Sequence, residues 1–153
     1  SKYTHLEEYI AKITEERKTR KDYLGNLKQF DNRNFPNLIF CASALKNFKN
    51  TVVGKVLLDK ILFAFGRLNS SILEVEGIPA FIEGTKLDIT GESSTTKKSS
   101  KLMRHRSIRM PDNSFKFFDF HVKNFPAFKR LYFYPDMDNK KVYIGYFGDH
   151  LPT

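Results

Sequence analysis

The chain has 153 residues, enough for one domain and an appendage, and its 26 Lys and Arg against 17 Asp and Glu give a net charge of +9. That excess favours polyanionic partners (RNA, DNA or an acidic protein), while 15 Phe and 7 Tyr supply enough apolar surface for a core and exclude a wholly disordered chain. The one cysteine excludes an internal disulfide and a Cys-based zinc site, and the longest apolar run, 56–65, is broken by Asp59 and Lys60 and is too short to span a bilayer.

Residues 3–28 predict a helix, because Leu6, Ile10, Ile13, Leu24 and Leu27 recur at roughly helical spacing. Glu7, Glu8, Glu15 and Glu16 precede Arg17, Lys18, Arg20 and Lys21, an order that suits the helix dipole. The apolar stripe is thin, so the helix is expected to dock on the domain behind it or on a partner. Asp31-Asn32-Arg33-Asn34-Phe35-Pro36 has the chemistry of a linker. Residues 1–34 are therefore expected to be a helical extension and linker, and 35–153 the domain. The extension also suits a connector within a larger defence or stress protein. No signal peptide is visible, and cytoplasmic residence is expected.

Residues 37–41 predict a short strand with Cys41 as a small core residue. Ser43 is a candidate N-cap for a helix over 44–48. A second helix is predicted over 52–68, with Val53, Val56, Leu57, Ile61, Phe63, Ala64 and Leu68 turned to a sheet and Gly66 near its end. Residues 70–90 have no clear period and are broken by Gly77-Ile78-Pro79. Residues 91–100, rich in Ser, Thr and Lys, read as a mobile loop. Three strands follow at 115–123, 130–134 and 141–147, the first preceded by a short strand near Ile108 and a turn at Pro111-Asp112-Asn113, the last two joined by a hairpin loop over 135–139. This order predicts an α+β fold: helices packed on one face of a small, mainly antiparallel twisted sheet, with an N-terminal helical extension.

Strand alternation assigns the faces. Phe118, Phe120 and Val122, Leu131 and Phe133, and Val142 and Ile144 form the apolar set that should meet the helices. Asp119, His121, Arg130, Tyr132 and Tyr143 are expected on an open face. Parity is lost at Gly145 and Gly148, which leaves the direction of His150 unassigned.

Asn37-Leu38-Ile39-Phe40-Cys41-Ala42-Ser43-Ala44-Leu45-Lys46 resembles the opening strand and helix of RelE/ParE-type toxins. Arg130-Leu131-Tyr132-Phe133, Lys141-Val142-Tyr143-Ile144 and Asp149-His150-Leu151 resemble their last hairpin, and Arg130 and His150 match the Arg and His of the YoeB-like branch. The resemblance covers about 36–153. The helix at 3–28 and the segment 70–103 have no counterpart, the family's Glu base has no clear match, and Leu151 stands where a Tyr often follows the terminal His. The resemblance implies a RelE-like fold and a metal-independent endoribonuclease acting on mRNA, in some members on the ribosome. It further implies no cofactor, an antitoxin protein as partner, and no membrane.

Metal-free RNA cleavage uses the 2′-OH as nucleophile and needs a base, an acid and cations for the pentavalent phosphate. With the resemblance, His150 is expected as acid or base, His121 as its counterpart and Arg130 as phosphate stabiliser. Lys101, Arg104, Arg106 and Arg109 are expected substrate clamps, since 97–109 holds no acid, and Tyr132 and Tyr143 are expected to stack on bases. His105, Asp119, His121 and His150 lack local metal-ligand spacing, so no metal site is expected. Two rivals from other classes stand beside this reading: a non-catalytic RelE-like module that holds nucleic acid or protein, and a ParE-like topoisomerase inhibitor.

Overall fold

The computed structural model describes residues 4–25, 33–51 and 54–153. It is an α+β fold built on a five-stranded sheet. Helix α1 (Thr4–Gly25) precedes β1 (Leu38–Phe40), α2 (Ala42–Asn50), α3 (Lys55–Glu74), α4 (Ile78–Thr85) and β2 (Ile89–Thr90). Two one-turn helices, α5 (Ser94–Lys98) and α6 (Ser100–Arg104), lead to β3 (Ser107–Arg109), β4 (Phe115–Phe117), β5 (Phe120–Val122), β6 (Lys129–Asp136) and β7 (Lys141–Asp149). The main sheet runs β1-β7-β6-β5-β2, with β1 parallel to β7 and every other pair antiparallel. β3 and β4 form a separate hairpin. Among the described residues, no helix is long and apolar enough to cross a membrane.

The larger core lies between one face of the sheet and α2, α3 and α4. Helix α3 turns Leu58, Ile61, Ala64, Phe65, Leu68 and Ile72 inward at three- and four-residue spacing, onto Leu131, Phe133, Val142 and Ile144 of the central strands. Phe65 sits edge-on to Phe35, Phe40 and Phe48, which locks α2, α3 and β1 together. Pro79 opens α4, and Arg67 closes it by donating to the carbonyls of Gly84 and Thr85 at 2.9 and 2.8 Å, a cation at the negative helix end.

Several expectations change. The helix over 3–28 is α1 as far as Gly25, with 26–28 outside the described residues, and it lies beside α2 with Leu6, Tyr9 and Ile10 exposed. Residue 41, not Ser43, occupies the N-cap of α2; Ser43 instead donates to the Gly145 carbonyl at 2.5 Å, tying α2 to β7. Helix α3 runs on to Glu74, so Gly66 is internal, and Val56 and Phe63 face solvent; Val53 lies outside the described residues. Residues 91–100 are not a bare loop: Ser93 and Ser99 cap α5 and α6 by accepting from the backbone N–H groups of Thr96 and Leu102.

The predicted strand 115–123 is two strands in two sheets. The chain changes sheets at 118–119, which inverts the alternation. Phe118 therefore joins Cys41, Ile108, Met110 and Tyr132 in a second small core on the opposite face of the sheet, with Tyr134, Tyr143, Tyr146 and Leu151 around it. That face is covered by the β3–β4 hairpin rather than open. A bulge in β7 at Gly145 keeps both faces consistent: Tyr132 pairs with Tyr146, and the next residue, Phe133, pairs with Ile144. A Cβ on Gly145 would lie 2.5 Å from Phe118 Cδ2 and 2.8 Å from Ile108 Cδ1, so only glycine permits this approach.

Candidate functional site

The C-terminal end of the second face gathers the polar side chains. β2, β5, β6 and β7 bring Thr90, His121, Tyr132 and Tyr146 into one cross-strand row. Arg130 pairs with Gly148 one step further along, and His150 follows the end of β7. His121 is buried at 3% exposure, its ring stacked on Tyr132 at 4.7 Å and edge-on to His150 at 5.5 Å. Its Nδ1 lies 3.4 Å from the Asp119 carbonyl and 3.5 Å from Glu92 Oε1, both acceptors, so Nδ1 carries the proton. Nε2 then accepts from the Thr90 hydroxyl at 3.2 Å. Desolvation holds the His121 pKa below its ordinary 6.5, against the Glu92 carboxylate, and the His150 and Arg130 charges add to the lowering.

Beneath this row sits an ion pair that composition did not reveal. Arg106 is 0% exposed, and its Nε lies 3.0 Å from Glu92 Oε1, a contact of charges whose angle is not that of a hydrogen bond. The guanidinium donates to the carbonyls of Leu102 at 3.0 Å and Pro152 at 2.6 Å, and reaches that of Leu151 at 3.5 Å. Arg106 thus fastens the tail that carries His150 onto α6. Glu92 is held in turn: its backbone N–H donates to the Asp119 carboxylate, which also pairs with Lys97 at 3.1 Å. Burial first, then the Glu92 carboxylate, push the Tyr132 hydroxyl up to about 12, so it stays protonated.

Two groups on this face remain for a ligand. His150 is exposed, and its Nδ1 lies 2.6 Å from the Leu151 carbonyl, which makes Nε2 the basic nitrogen of the neutral ring. Arg130 donates through one terminal nitrogen to the carbonyls of Phe128 at 3.2 Å and Lys129 at 3.1 Å; its Nε is buried with no hydrogen-bond partner among the described residues. It pairs with no carboxylate there.

The structure therefore brings His121, His150 and Arg130 together and separates the expected RNA contacts. Lys101, Arg104 and Arg109 are exposed, Arg109 donating to Asn113 Oδ1 from two nitrogens at 3.0 and 2.6 Å. Arg106 is corrected from substrate clamp to internal clasp, because burial removes it from any ligand. Tyr132 is corrected from stacking platform to core residue on the same ground. Tyr143 is half-buried around the second core, where desolvation raises its pKa. Glu92 was the residue sequence reasoning missed. A signal existed: it is the only acid between Asp88 and Asp112. Among the described residues, no group of three or more His, Cys, Asp or Glu is arranged to hold a metal ion.

No protein-family model matches the chain, and neither a curated protein nor a solved structure matches it.

Proposed function

We propose that the chain is a RelE-like, metal-independent endoribonuclease acting on mRNA, with His150 moving protons and Arg130 holding the phosphate. The observation that carries this reading is the exposed His150 edge-on to buried His121, beside an Arg130 that no carboxylate among the described residues neutralises. The charge of +9 gives such a face a polyanionic partner. In this scheme the substrate 2′-OH attacks the adjacent phosphorus, the 5′-oxygen leaves, and the product is a 2′,3′-cyclic phosphate. His150 Nε2 takes the 2′-OH proton while water protonates the leaving 5′-oxygen, or protonated His150 supplies the leaving oxygen while water takes the 2′-OH proton. Arg130 meets the charge on the pentavalent phosphate through its planar donors. His121, Glu92 and Arg106 are positioning residues that fix the ring and tail of His150. An acidic or helical antitoxin, a ribosome-bound substrate and cytoplasmic residence belong to this proposal.

The test is labelled single-stranded RNA in EDTA and, separately, mRNA on translating ribosomes in Mg²⁺ buffer, for wild type, His150→Ala and Arg130→Ala. Cleavage that survives EDTA and is lost in both variants supports the enzyme; cleavage unchanged in His150→Ala refutes it. A second reading, a non-catalytic module that binds RNA through the same face, is favoured by one observation. Both ring nitrogens of His121 are engaged inside the protein, which leaves one exposed imidazole for two proton transfers. RNA binding without cleavage in either setting would select it.

A further inference from the structure

The turn from β5 to β6 delivers Phe125 to the main core and then holds the next residues in a strained backbone. Asn124, Ala127 and Phe128 have φ of 69°, 58° and 56°, the left-handed region that non-glycine residues rarely adopt. Two of them are consecutive, and neither gains burial from it: Phe128 is 82% exposed, the most exposed large apolar side chain among the described residues. Polar contacts hold the turn in place. Asn124 Nδ2 donates to Asp88 at 2.9 Å, Lys60 donates to the Asn124 carbonyl at 3.4 Å, and Arg130 donates to the Phe128 carbonyl. Strained positions of this kind cluster at ligand sites, and here the strain at Ala127 and Phe128 leaves an exposed ring.

The ring borders a concavity of about 360 Å³ lined by Lys123, Asn124, Phe128 and Arg130 and also by the Asp88 carboxylate, which Asn124 and Lys123 engage. One wall is aromatic, one carries the unneutralised guanidinium, and Lys123 adds a cation that is only loosely matched to Asp88 at 3.8 Å. Arg130 links the two regions: its side chain bonds the Phe128 carbonyl, and its place on β6, two residues from Tyr132, puts it on the face that carries His121. An aromatic face beside a phosphate-binding cation is the chemistry of a single-stranded nucleotide subsite.

We propose that Phe128 is the stacking platform for the nucleobase adjoining the phosphate held by Arg130. This rests on the endoribonuclease reading and names how that site grips a single strand. The ring selects for an unstacked base and accepts any base identity, because stacking reads a π face rather than hydrogen-bonding edges. Paired RNA, whose bases are not available, is disfavoured at this corner.

The test measures binding of a short, 2′-O-methylated single-stranded oligonucleotide, which cannot be cut, and of the same oligonucleotide with abasic positions. The proteins are wild type, Phe128→Ala and Phe128→Trp. The chain contains no Trp, so the introduced indole is a lone fluorescent reporter. Phe128→Ala is expected to weaken the intact oligonucleotide about tenfold, the size of one lost base–aromatic stack, and to leave the abasic one within about twofold. Phe128→Trp restores affinity, and its emission is quenched by the intact oligonucleotide only. Equal affinities of wild type and Phe128→Ala overturn the proposal and leave the enzyme reading standing, as does an equal loss on both oligonucleotides. Wild type that binds neither oligonucleotide overturns the stacking proposal and leaves the enzyme reading to be decided by the cleavage assay, whose ribosome arm is independent of it.

Discussion

Replacing Arg106 with Met keeps the length of the side chain and deletes its charge, so it asks what holds the tail that carries His150. The Glu92 side chain, 3% exposed, would lose the cation 3.0 Å away. Truncating one partner of a buried pair costs about 3–5 kcal/mol, because the remaining charge is left uncompensated. The lost bonds to Leu102 and Pro152 are charge-assisted and in principle cost more, but the Pro152 carbonyl sits in an exposed residue and can turn to water. The net expectation is about 4 kcal/mol, a large part of the roughly 5–15 kcal/mol that holds a domain together. The double variant Arg106→Met/Glu92→Leu removes both charges and should recover more than half of that loss, since an apolar replacement of a buried pair is close to neutral. Urea unfolding of the four proteins, at equal slope, reads the coupling directly. Amide exchange at 150–152 should also quicken in the single Arg106 variant before any global unfolding. A cost below about 1 kcal/mol for Arg106→Met, or singles that simply add in the double, would refute the clasp and mean that water reaches both charges.

Three further outcomes are expected. Because burial keeps the folded His121 pKa below 6.5, the unfolded chain binds a proton first as pH falls; stability should decline from about pH 6.5 towards the lowered value, and His121→Gln should flatten that part of a pH series of urea midpoints. Gly145→Ala should destabilise by about 1–3 kcal/mol in thermal or urea unfolding through its clash with Phe118 and Ile108, and Phe118→Leu in the same chain should return part of the loss. Arg130→Ala should reduce the salt dependence of single-stranded RNA binding by about 0.7 in the log–log slope, the share of one phosphate contact; an unchanged slope would remove Arg130 from the phosphate.

The α+β order was legible because apolar residues set periods: Ile61, Ala64 and Leu68 in the helix read over 52–68, and alternation in Leu131 and Phe133; Val56 and Phe63, read onto the same helix face, are exposed, and Leu58, Phe65 and Ile72 complete that face instead. The split of 115–123 was not, because Phe115, Phe117, Phe118 and Phe120 are apolar on both parities and give no sign of where the chain changes sheets. Two of these, Phe115 and Phe117, are exposed, while Phe118 is buried on the second face. At the candidate site, strand alternation put His121 and Arg130 on one face, while His150 entered only through the resemblance of the terminal hairpin, because parity is lost at Gly145 and Gly148. Arg106 looked like its basic neighbours, and only burial distinguishes it from Arg104 and Arg109. Glu92 stands in a run of Gly, Ser and Thr with no period, so its partners, 14 and 29 residues away in sequence, could come only from the fold.

The distribution of acids explains why the site end of this face stays positive. Glu92 is matched by Arg106, and Asp119 is matched by Lys97 and the Glu92 backbone N–H. Asp149 bonds Lys129 at 2.7 Å across the β6–β7 ladder, and Asp88 is shared by Asn124 and Lys123. Each carboxylate near the row is therefore committed to a partner other than Arg130. The buried pair has a second effect. Glu92 and Arg106 are opposite charges 3.0 Å apart beneath the surface, which leaves Arg130 as a cation on this face with no carboxylate partner among the described residues. Low dielectric beneath the row strengthens the field of that cation, and the polar contacts there hold the members of the row still. Under the proposed endoribonuclease reading, Arg130 draws the phosphodiester to this face first, and the stacking proposal puts the adjoining base on the exposed ring of Phe128.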